Sequence, residues 1–351
     1  MKVSLYYPVG RLQFEADTNK NPPEFSTQRE IGGGGPVVKT KQSLEEIGIE
    51  TKLFSQWYPD SDFDVFYVDG SSYETKKAIE AVKLIERPVV VVTAAYSSRP
   101  VWQFWAWKYI EKVLPIPTVY GLRQKVYNMA DVLISSSESE IDQLKISFDI
   151  DDEKINFIPW CIDRKVFRDP DDSPFVERYG LKNFVLQVGR INERKGQTRL
   201  IRALDGTGLE VVFAGELHAQ DPEERDRFLG MVEERDWAHY VGPLSHDEML
   251  PSAYAAAKVH VLPSKFEFPG MVTLEAAAAG CSVVSGPYPT IKDYLGDRIY
   301  YCDPTSLDSI RTNVEKAFRN EVDESLSEFV LENYTWLSRA KRLKKMFKKI
   351  A

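Results

Sequence analysis

Short runs of Val, Ile, Leu and Phe alternate along this chain with longer segments whose apolar residues recur every three or four positions. The first pattern predicts buried strands and the second amphipathic helices. In the first half, strands are predicted at 3–7, 51–54, 64–68, 89–93, 132–135 and 155–158, and helices at 39–47, 75–85, 101–113 and 138–147. In the second half, strands are predicted at 184–188, 210–214, 239–241, 259–262, 282–285 and 299–301, again separated by helical segments. Near-continuous runs such as Val89-Val90-Val91-Val92 are what a parallel sheet covered on both faces requires. A polar, Pro-containing stretch at 162–174 separates the halves and reads as a linker. The expected organisation is a first Rossmann-like domain over 1–165, joined by a terminal helix at 336–351, and a second over 175–335.

Two helical stripes qualify this picture. In the terminal segment Trp336, Ala340, Leu343, Phe347 and Ile350 share one face, while Lys341, Lys344, Lys345, Lys348 and Lys349 occupy the rest. Docking of the apolar stripe on a domain is the expectation; a basic helix lying on anionic lipid is the alternative. At 99–109 the sequence R-P-V-W-Q-F-W-A-W-K-Y places Trp102, Trp105 and Tyr109 on one face. That stripe is expected in the core, with a sugar-stacking wall or a membrane contact as alternatives.

Composition narrows the class. A chain of 351 residues with 43% hydrophobic residues supports two ordinary domains. A net charge of −8 argues against a nucleic-acid partner. The cysteines Cys161, Cys281 and Cys302 are far apart and form no metal-ligand spacing, so buried thiols in a reducing, cytoplasmic setting are expected. The N-terminus carries no signal-peptide pattern, and no run nears the ~20 apolar residues that span a bilayer.

The candidate chemistry lies mainly in the second half. After the predicted strand at 259–262, the sequence S-K-F-E-F-P-G-M-V-T-L-E runs from Ser264 to Glu275, with Glu267 and Glu275 eight positions apart around a Pro-Gly turn. A strand, loop and helix in this order aim backbone N–H groups and a positive helix end at the carboxyl edge of a sheet, where a diphosphate fits. The carboxylates can accept hydrogen bonds from sugar or ribose hydroxyls. About 80 residues upstream, the strand at 184–188 runs into Gly189, Arg190, Lys195 and Gly196. Arg offers a fork and Lys a point charge for phosphate. In the first half Gly32-Gly33-Gly34-Gly35-Pro36 precedes a helix; its glycines let backbone approach a ligand closely.

Together these segments resemble the retaining nucleotide-sugar glycosyltransferases of family four type, which have the GT-B fold. The family's Arg and Lys five positions later match Arg190 and Lys195; its E-x7-E pattern, with a Gly three after the first Glu, matches Glu267, Gly270 and Glu275. The resemblance covers 184–286 most strongly and is collinear elsewhere. It implies an α/β chain of two Rossmann-like domains facing across a cleft, with the last helix returning to the first domain. It further implies that Arg190, Lys195 and the backbone at Gly189, Gly270, Met271 and Val272 hold the donor diphosphate. Glu267 would meet the donor sugar, Glu275 the ribose, and the Gly33-Gly34 loop the donor from the other side. Two departures concern the acceptor side. No His follows the strand at 89–93, where the sequence is T-A-A-Y-S-S-R, and the family's P-N-G-V-D is replaced by P-W-C-I-D at 159–163.

The expected function is therefore sugar transfer, with retention, from a nucleoside diphosphate sugar to an unidentified acceptor: a glycan, a lipid-linked molecule, a protein or a small molecule. No metal and no cofactor are expected, because the nucleotide sugar is itself a substrate. Asp60, Asp62 and Asp64 form a D-x-D pattern that binds metal in another transferase fold, but a solvated turn is the expected reading. The alternative function is a non-catalytic or degenerate nucleotide-sugar-binding module. An oxidoreductase would need a G-x-G-x-x-G turn, and none is well placed. Peripheral membrane contact is the disfavoured partner.

Overall fold

In the computed structural model all twelve strands expected from the sequence lie, within a residue at each end, inside two parallel sheets. The structure describes residues 1–6, 15–17, 24–26, 35–54, 61–97, 99–114, 118–217, 221–268 and 270–351. It divides into two compact units, 1–159 with 336–351, and 160–335.

The first unit contains β1 (Lys2–Tyr6), β2 (Glu15–Asp17), β3 (Glu24–Ser26), α1 (Pro36–Glu46), β4 (Glu50–Leu53), β5 (Val65–Asp69), α2 (Tyr73–Lys83) and β6 (Val89–Val92). It continues with α3 (Val101–Val113), α4 (Val119–Met129), β7 (Val132–Ser135), α5 (Glu138–Phe148) and β8 (Ile155–Phe157). The main sheet is parallel, in the order β4-β1-β5-β6-β7-β8, and β2 and β3 form a separate antiparallel pair. All four valines of β6 are buried, as a strand covered on both faces requires. The fully buried Glu140 accepts from Ala95 N at 2.7 Å and Ser136 N at 2.9 Å, which ties the loop after β6 to the start of α5.

The second unit contains α6 (Arg164–Phe167), α7 (Ser173–Tyr179), β9 (Val185–Val188), α8 (Gln197–Leu204), β10 (Val211–Ala214), α9 (Pro222–Glu233), β11 (Ala238–Gly242) and α10 (Met249–Ala256). Then follow β12 (Val259–Leu262), α11 (Met271–Ala278), β13 (Ser282–Ser285), α12 (Pro289–Leu295), β14 (Tyr300–Tyr301), α13 (Leu307–Arg319) and α14 (Glu324–Asn333). Its sheet is parallel in the order β11-β10-β9-β12-β13-β14, so the third strand along the chain lies at one edge and the sixth at the other. Alternate side chains on each strand feed two cores. Phe184, Leu186 and Val188 pack with Tyr254 and Leu274 on one face, and Val185 packs with Phe213, Val261 and Leu200 on the other. Cys161, Cys281 and Cys302 are buried, and none is in a disulfide among the described residues.

Three expectations need correcting. The stretch at 162–174 is not a linker: Phe167 in α6 is fully buried, and Ile162 N donates to Tyr334 O at 2.8 Å. The chain passes between units at Pro159–Trp160 and returns at Thr335–Trp336. The helix α4 is an element that sequence periodicity did not signal. The Trp102, Trp105 and Tyr109 stripe of α3 is exposed, at 64%, 62% and 71%. The opposite face turned inward because it has specific partners: Phe104 packs edge-on to Tyr120 at 4.8 Å, Lys108 pairs with Asp149, and Glu111 accepts from Gly121 N at 3.0 Å.

The terminal helix α15 (Trp336–Ile350) docks on α1, with Ala340, Leu343 and Phe347 fully buried. Arg339, also buried, donates to Ile158 O at 2.9 Å, Pro159 O at 2.7 Å and the Tyr67 hydroxyl at 3.3 Å. One guanidinium thus satisfies two carbonyls where β8 ends. Arg339→Ala is expected to destabilise the first unit by ~3 kcal/mol, because those carbonyls stay buried without their donor. Denaturant unfolding followed by circular dichroism measures this; a variant as stable as the parent would contradict the role.

Candidate active site

The order of the second sheet is what assembles the site. The chain builds β9, β10 and β11 outward in one direction, returns, and builds β12, β13 and β14 in the other. Adjacent strands β9 and β12 are therefore the switch point, where neighbouring loops at the carboxyl edge diverge and leave a crevice. The loop after β9 carries Gly189, Arg190, Arg194 and Lys195; the loop after β12 carries Ser264, Lys265 and Glu267.

These two loops are laced together. Lys195 Nζ lies 2.7 Å from Glu267 Oε1, and Arg194 Nη1 lies 3.0 Å from the same oxygen. Arg194 Nη1 also donates to Phe266 O, Lys265 N donates to Arg194 O at 2.7 Å, and Arg199 Nη2 donates to Pro263 O at 3.2 Å. The Lys195 and Glu267 side chains are only 11% and 6% exposed. Burial holds the Lys195 ammonium below the usual lysine range, and Glu267 partly restores it. A buried ammonium with three donors and one carboxylate partner has capacity for a further anion. Arg190 is exposed and its side chain joins no ion pair among the described residues. Gln197 Nε2 fixes its backbone through Arg190 O at 3.2 Å.

Two glycines shape this crevice. Gly189 has φ 145°, and a Cβ there would lie 3.3 Å from Lys195 Cε, so its absence lets the lysine fold back beside β9. Gly270 has φ 76°, and a Cβ would come within 2.6 Å of Ile291 Cδ1. Gly196 and Gly270 are the N-caps of α8 and α11; neither helix start has a side-chain cap or an acidic residue in its first turn. By contrast α9, α13 and α14 are capped by Asp221, Ser306 and Asp323. The open starts leave backbone N–H donors and positive helix ends in the crevice.

Glu275 sits one turn into α11 and is also buried. Its Oε1 lies 3.4 Å from His246 Nε2, and its Oε2 accepts from the Tyr254 hydroxyl at 3.4 Å. The Glu275 contact raises the His246 pKa to about 9, burial opposes the rise, and Asp247 at 2.8 Å from Nδ1 adds to it. His246 is thus an imidazolium at neutral pH. Gly270, Met271 and Val272 lie where the sequence placed them, at the start of α11. Gly33 and Gly34 lie outside the described residues, as does Asp60. Asp62 and Asp64 stand in the first unit, held by the Lys2 side chain and backbone N at 2.6 and 2.8 Å. Arg194, His246 and Tyr254 escaped the sequence reading. Arg194 lies between Arg190 and Lys195; nothing in spacing links His246 or Tyr254 to a glutamate more than 20 positions away.

Residues 169–335 match the family described as glycosyl transferases group 1. The match takes in most of the second unit, and the fold of the chain is GT-B. A D-inositol 3-phosphate glycosyltransferase of Mycobacteroides abscessus is 30% identical over 178 residues, 49% of this chain and 40% of the relative. The O-antigen chain mannosyltransferase B of Escherichia coli is 27% identical, over 46% of this chain and 44% of the relative. The chain thus spans less than half the length of these curated relatives. Among solved structures, Anabaena HepE in complex with UDP superposes with a TM-score of 0.72 at 15% identity, covering 99% of this chain and 100% of that one. Sucrose-phosphate synthase from Thermosynechococcus elongatus gives 0.63 at 17% identity, over 99% and 98%.

The His246–Glu275 contact has a pH signature. The folded-state pKa of about 9 lies above the ordinary 6.5, so its stabilisation is fully present below pH 6.5 and is lost as pH rises through about 9. The expected contribution is roughly 2 kcal/mol, discounted for the partial exposure of the ring. Thermal melts from pH 6 to 10 should show this decline, and His246→Gln should flatten it. Parallel curves for the two proteins would contradict the assignment.

Proposed function

We propose that the chain transfers a sugar from a nucleoside diphosphate sugar to an acceptor hydroxyl, with retention at the anomeric carbon and without a metal ion. The observation that carries this reading is the junction of the β9 and β12 loops. There a buried lysine, an exposed arginine and two open helix starts lie by the buried carboxylate of Glu267, within the residues that match glycosyl transferases group 1. The UDP bound by Anabaena HepE, which shares the fold, supports a nucleoside diphosphate as the ligand.

Negative charge grows on the diphosphate as its bond to the sugar breaks. Lys195, Arg190 and the backbone N–H groups of Met271 and Val272 stabilise that charge in this reading, and they do so without reorganising. Lys195 has the right protonation behaviour: an added anion offsets the burial that depresses its pKa. Arg194 and Lys195 leave Glu267 one oxygen less engaged, free to accept from a sugar hydroxyl. Glu275, held by His246 and Tyr254, takes the ribose hydroxyls on its remaining lone pairs. The second unit is the donor domain, and the first is proposed to hold the acceptor.

Lys195→Ala and Arg190→Ala are each expected to lower turnover about 100-fold, since a charge-assisted contact to a developing anion is worth ~3 kcal/mol. Calorimetry with UDP alone should separate the glutamates: Glu275→Ala weakens binding, whereas Glu267→Ala leaves it nearly intact and lowers transfer. Equal losses would refute this division. A protein that binds nucleotide sugars yet releases no nucleotide with any acceptor would be a binding module instead.

Metal independence has its own test. Activity is expected to persist in excess chelator, and Asp62→Ala to be near-silent in transfer assays. Activity lost in chelator and restored by manganese would overturn the proposal that cations and helix starts alone offset the diphosphate charge.

A further inference from the structure

One residue of the second sheet departs from the apolar rule of its strand. Gln187 is the one polar residue of β9, it is 1% exposed, and it lies on the face of the sheet that carries Val185, Phe213, Val261 and Leu200. An amide buried there costs stability unless its polar atoms are bonded. Its Nε2 donates to Lys195 O at 2.8 Å, whereas its Oε1 is buried with no hydrogen-bond partner among the described residues. A carbonyl only accepts, so the nitrogen end of the amide must face Lys195. Half of the amide is bonded and half is not, and the stability of the sheet does not account for it.

The bond falls where the returning chain needs a hold. β12 pairs with β9 through Val185 and Leu186, and the two strands part from Gln187 on. The loop after β9 then carries Arg190 and Lys195 and ends at Gly196, the N-cap of α8. Its middle carbonyls are taken by backbone or arginine donors: Asn192 O by Lys195 N at 3.1 Å, Glu193 O by Arg199 Nη1 at 3.1 Å, and Arg194 O by Lys265 N at 2.7 Å. Buried amides take the carbonyls of the two cationic residues assigned to the diphosphate: Gln187 holds Lys195 O, and Gln197, also 1% exposed, holds Arg190 O at 3.2 Å. Gln197 Oε1 further accepts from Asn192 N at 3.4 Å, and Asn192 Oδ1 from Lys195 N at 3.0 Å, so one loop joins the two amides. At its other end the Lys195 side chain is held by Glu267 at 2.7 Å. A lysine stem is flexible, and fixing both its main chain and its ammonium removes that freedom before a ligand arrives.

We propose that Gln187 is a positioning residue for the donor diphosphate: it fixes the Lys195 backbone so that the ammonium is already in place when the phosphates bind. Gln197 does the same for Arg190. This role rests on the proposed donor site and adds the device that preorganises it. Preorganised charge stabilises a developing anion without moving, and a misplacement of about 1 Å costs up to about 100-fold.

Calorimetry on the full chain with UDP, GDP and ADP, and with the matching nucleosides, tests the proposal. Gln187→Met keeps the length of the side chain and removes the donor. It is expected to bind the diphosphate that the parent prefers about tenfold more weakly, and the matching nucleoside as the parent does. Its melting temperature is expected to move little, because the variant removes one orphaned oxygen, Gln187 Oε1, and creates another, Lys195 O. Added to Lys195→Ala, the substitution should cost no further affinity, since the charge it positions is already gone. Three results would overturn the positioning role and leave the donor site in place: diphosphate binding equal to the parent's, an equal loss with the nucleoside, or a full additional loss on top of Lys195→Ala. A parent chain that binds none of the three diphosphates would overturn the donor site and this role together. Gln197→Met, read against Arg190→Ala in the same way, keeps the test decisive if the first variant does not fold.

Discussion

The site in the second unit depends on one topological constraint, the reversal of strand order between β9 and β12. Residues about 80 positions apart reach each other because those two strands are neighbours in the sheet and their following loops leave the same edge. The Lys195–Glu267 ion pair is the physical result. Both side chains are nearly enclosed, so neither charge could sit there alone without a large desolvation cost. Backbone contacts from Arg194, Lys265 and Arg199 fasten the loops around the pair, which makes the crevice a preformed feature of the sheet edge.

Electrostatics in this crevice follow one pattern. Each carboxylate is held by a cation or hydroxyl from another element: Glu267 by Lys195 and Arg194, Glu275 by His246 and Tyr254. Each open helix start is left without a side-chain cap. Ser or Asp in place of Gly196 or Gly270 would have to adopt a positive φ and bring a Cβ within 2.7 Å of Pro263 O or 2.6 Å of Ile291 Cδ1, so these starts stay uncapped. The glycines at these positions are therefore explained by backbone conformation and space, and they leave the first N–H groups of both helices without a side-chain cap.

The first unit shows how a helix face is assigned inward or outward. Both sides of α3 carry aromatic residues, so hydrophobicity alone does not choose between them. Phe104, Lys108 and Glu111 find a ring, a carboxylate and a backbone N–H respectively, and that side turns inward, with Phe104 buried and the other two half-buried. In α15 the choice is simpler. Lysines exclude one side, and Arg339 enters the core because two carbonyls just past the end of β8 and a tyrosine hydroxyl receive its donors.

By itself the sequence determined the strand positions, the α/β class, the docking of the terminal stripe and the two short segments that meet at the carboxyl edge of the second sheet. Apolar runs of four or five residues admit few structures, and Gly189, Arg190, Lys195, Glu267, Gly270 and Glu275 stand in short windows whose chemistry is readable locally. Boundaries shifted by one or two residues, since caps and turns set them. Only the tertiary structure decided the rest. It brought His246 and Tyr254 to Glu275 and added Arg194 to the Lys195 pair, because those contacts join different elements of the sheet edge. It buried Phe167 in a stretch whose polarity read as a linker, since neighbours rather than flanking residues determine burial. It also exposed the Trp102 stripe, because the choice between two apolar faces of one helix rests on which face finds partners, and those partners come from α4 and α5.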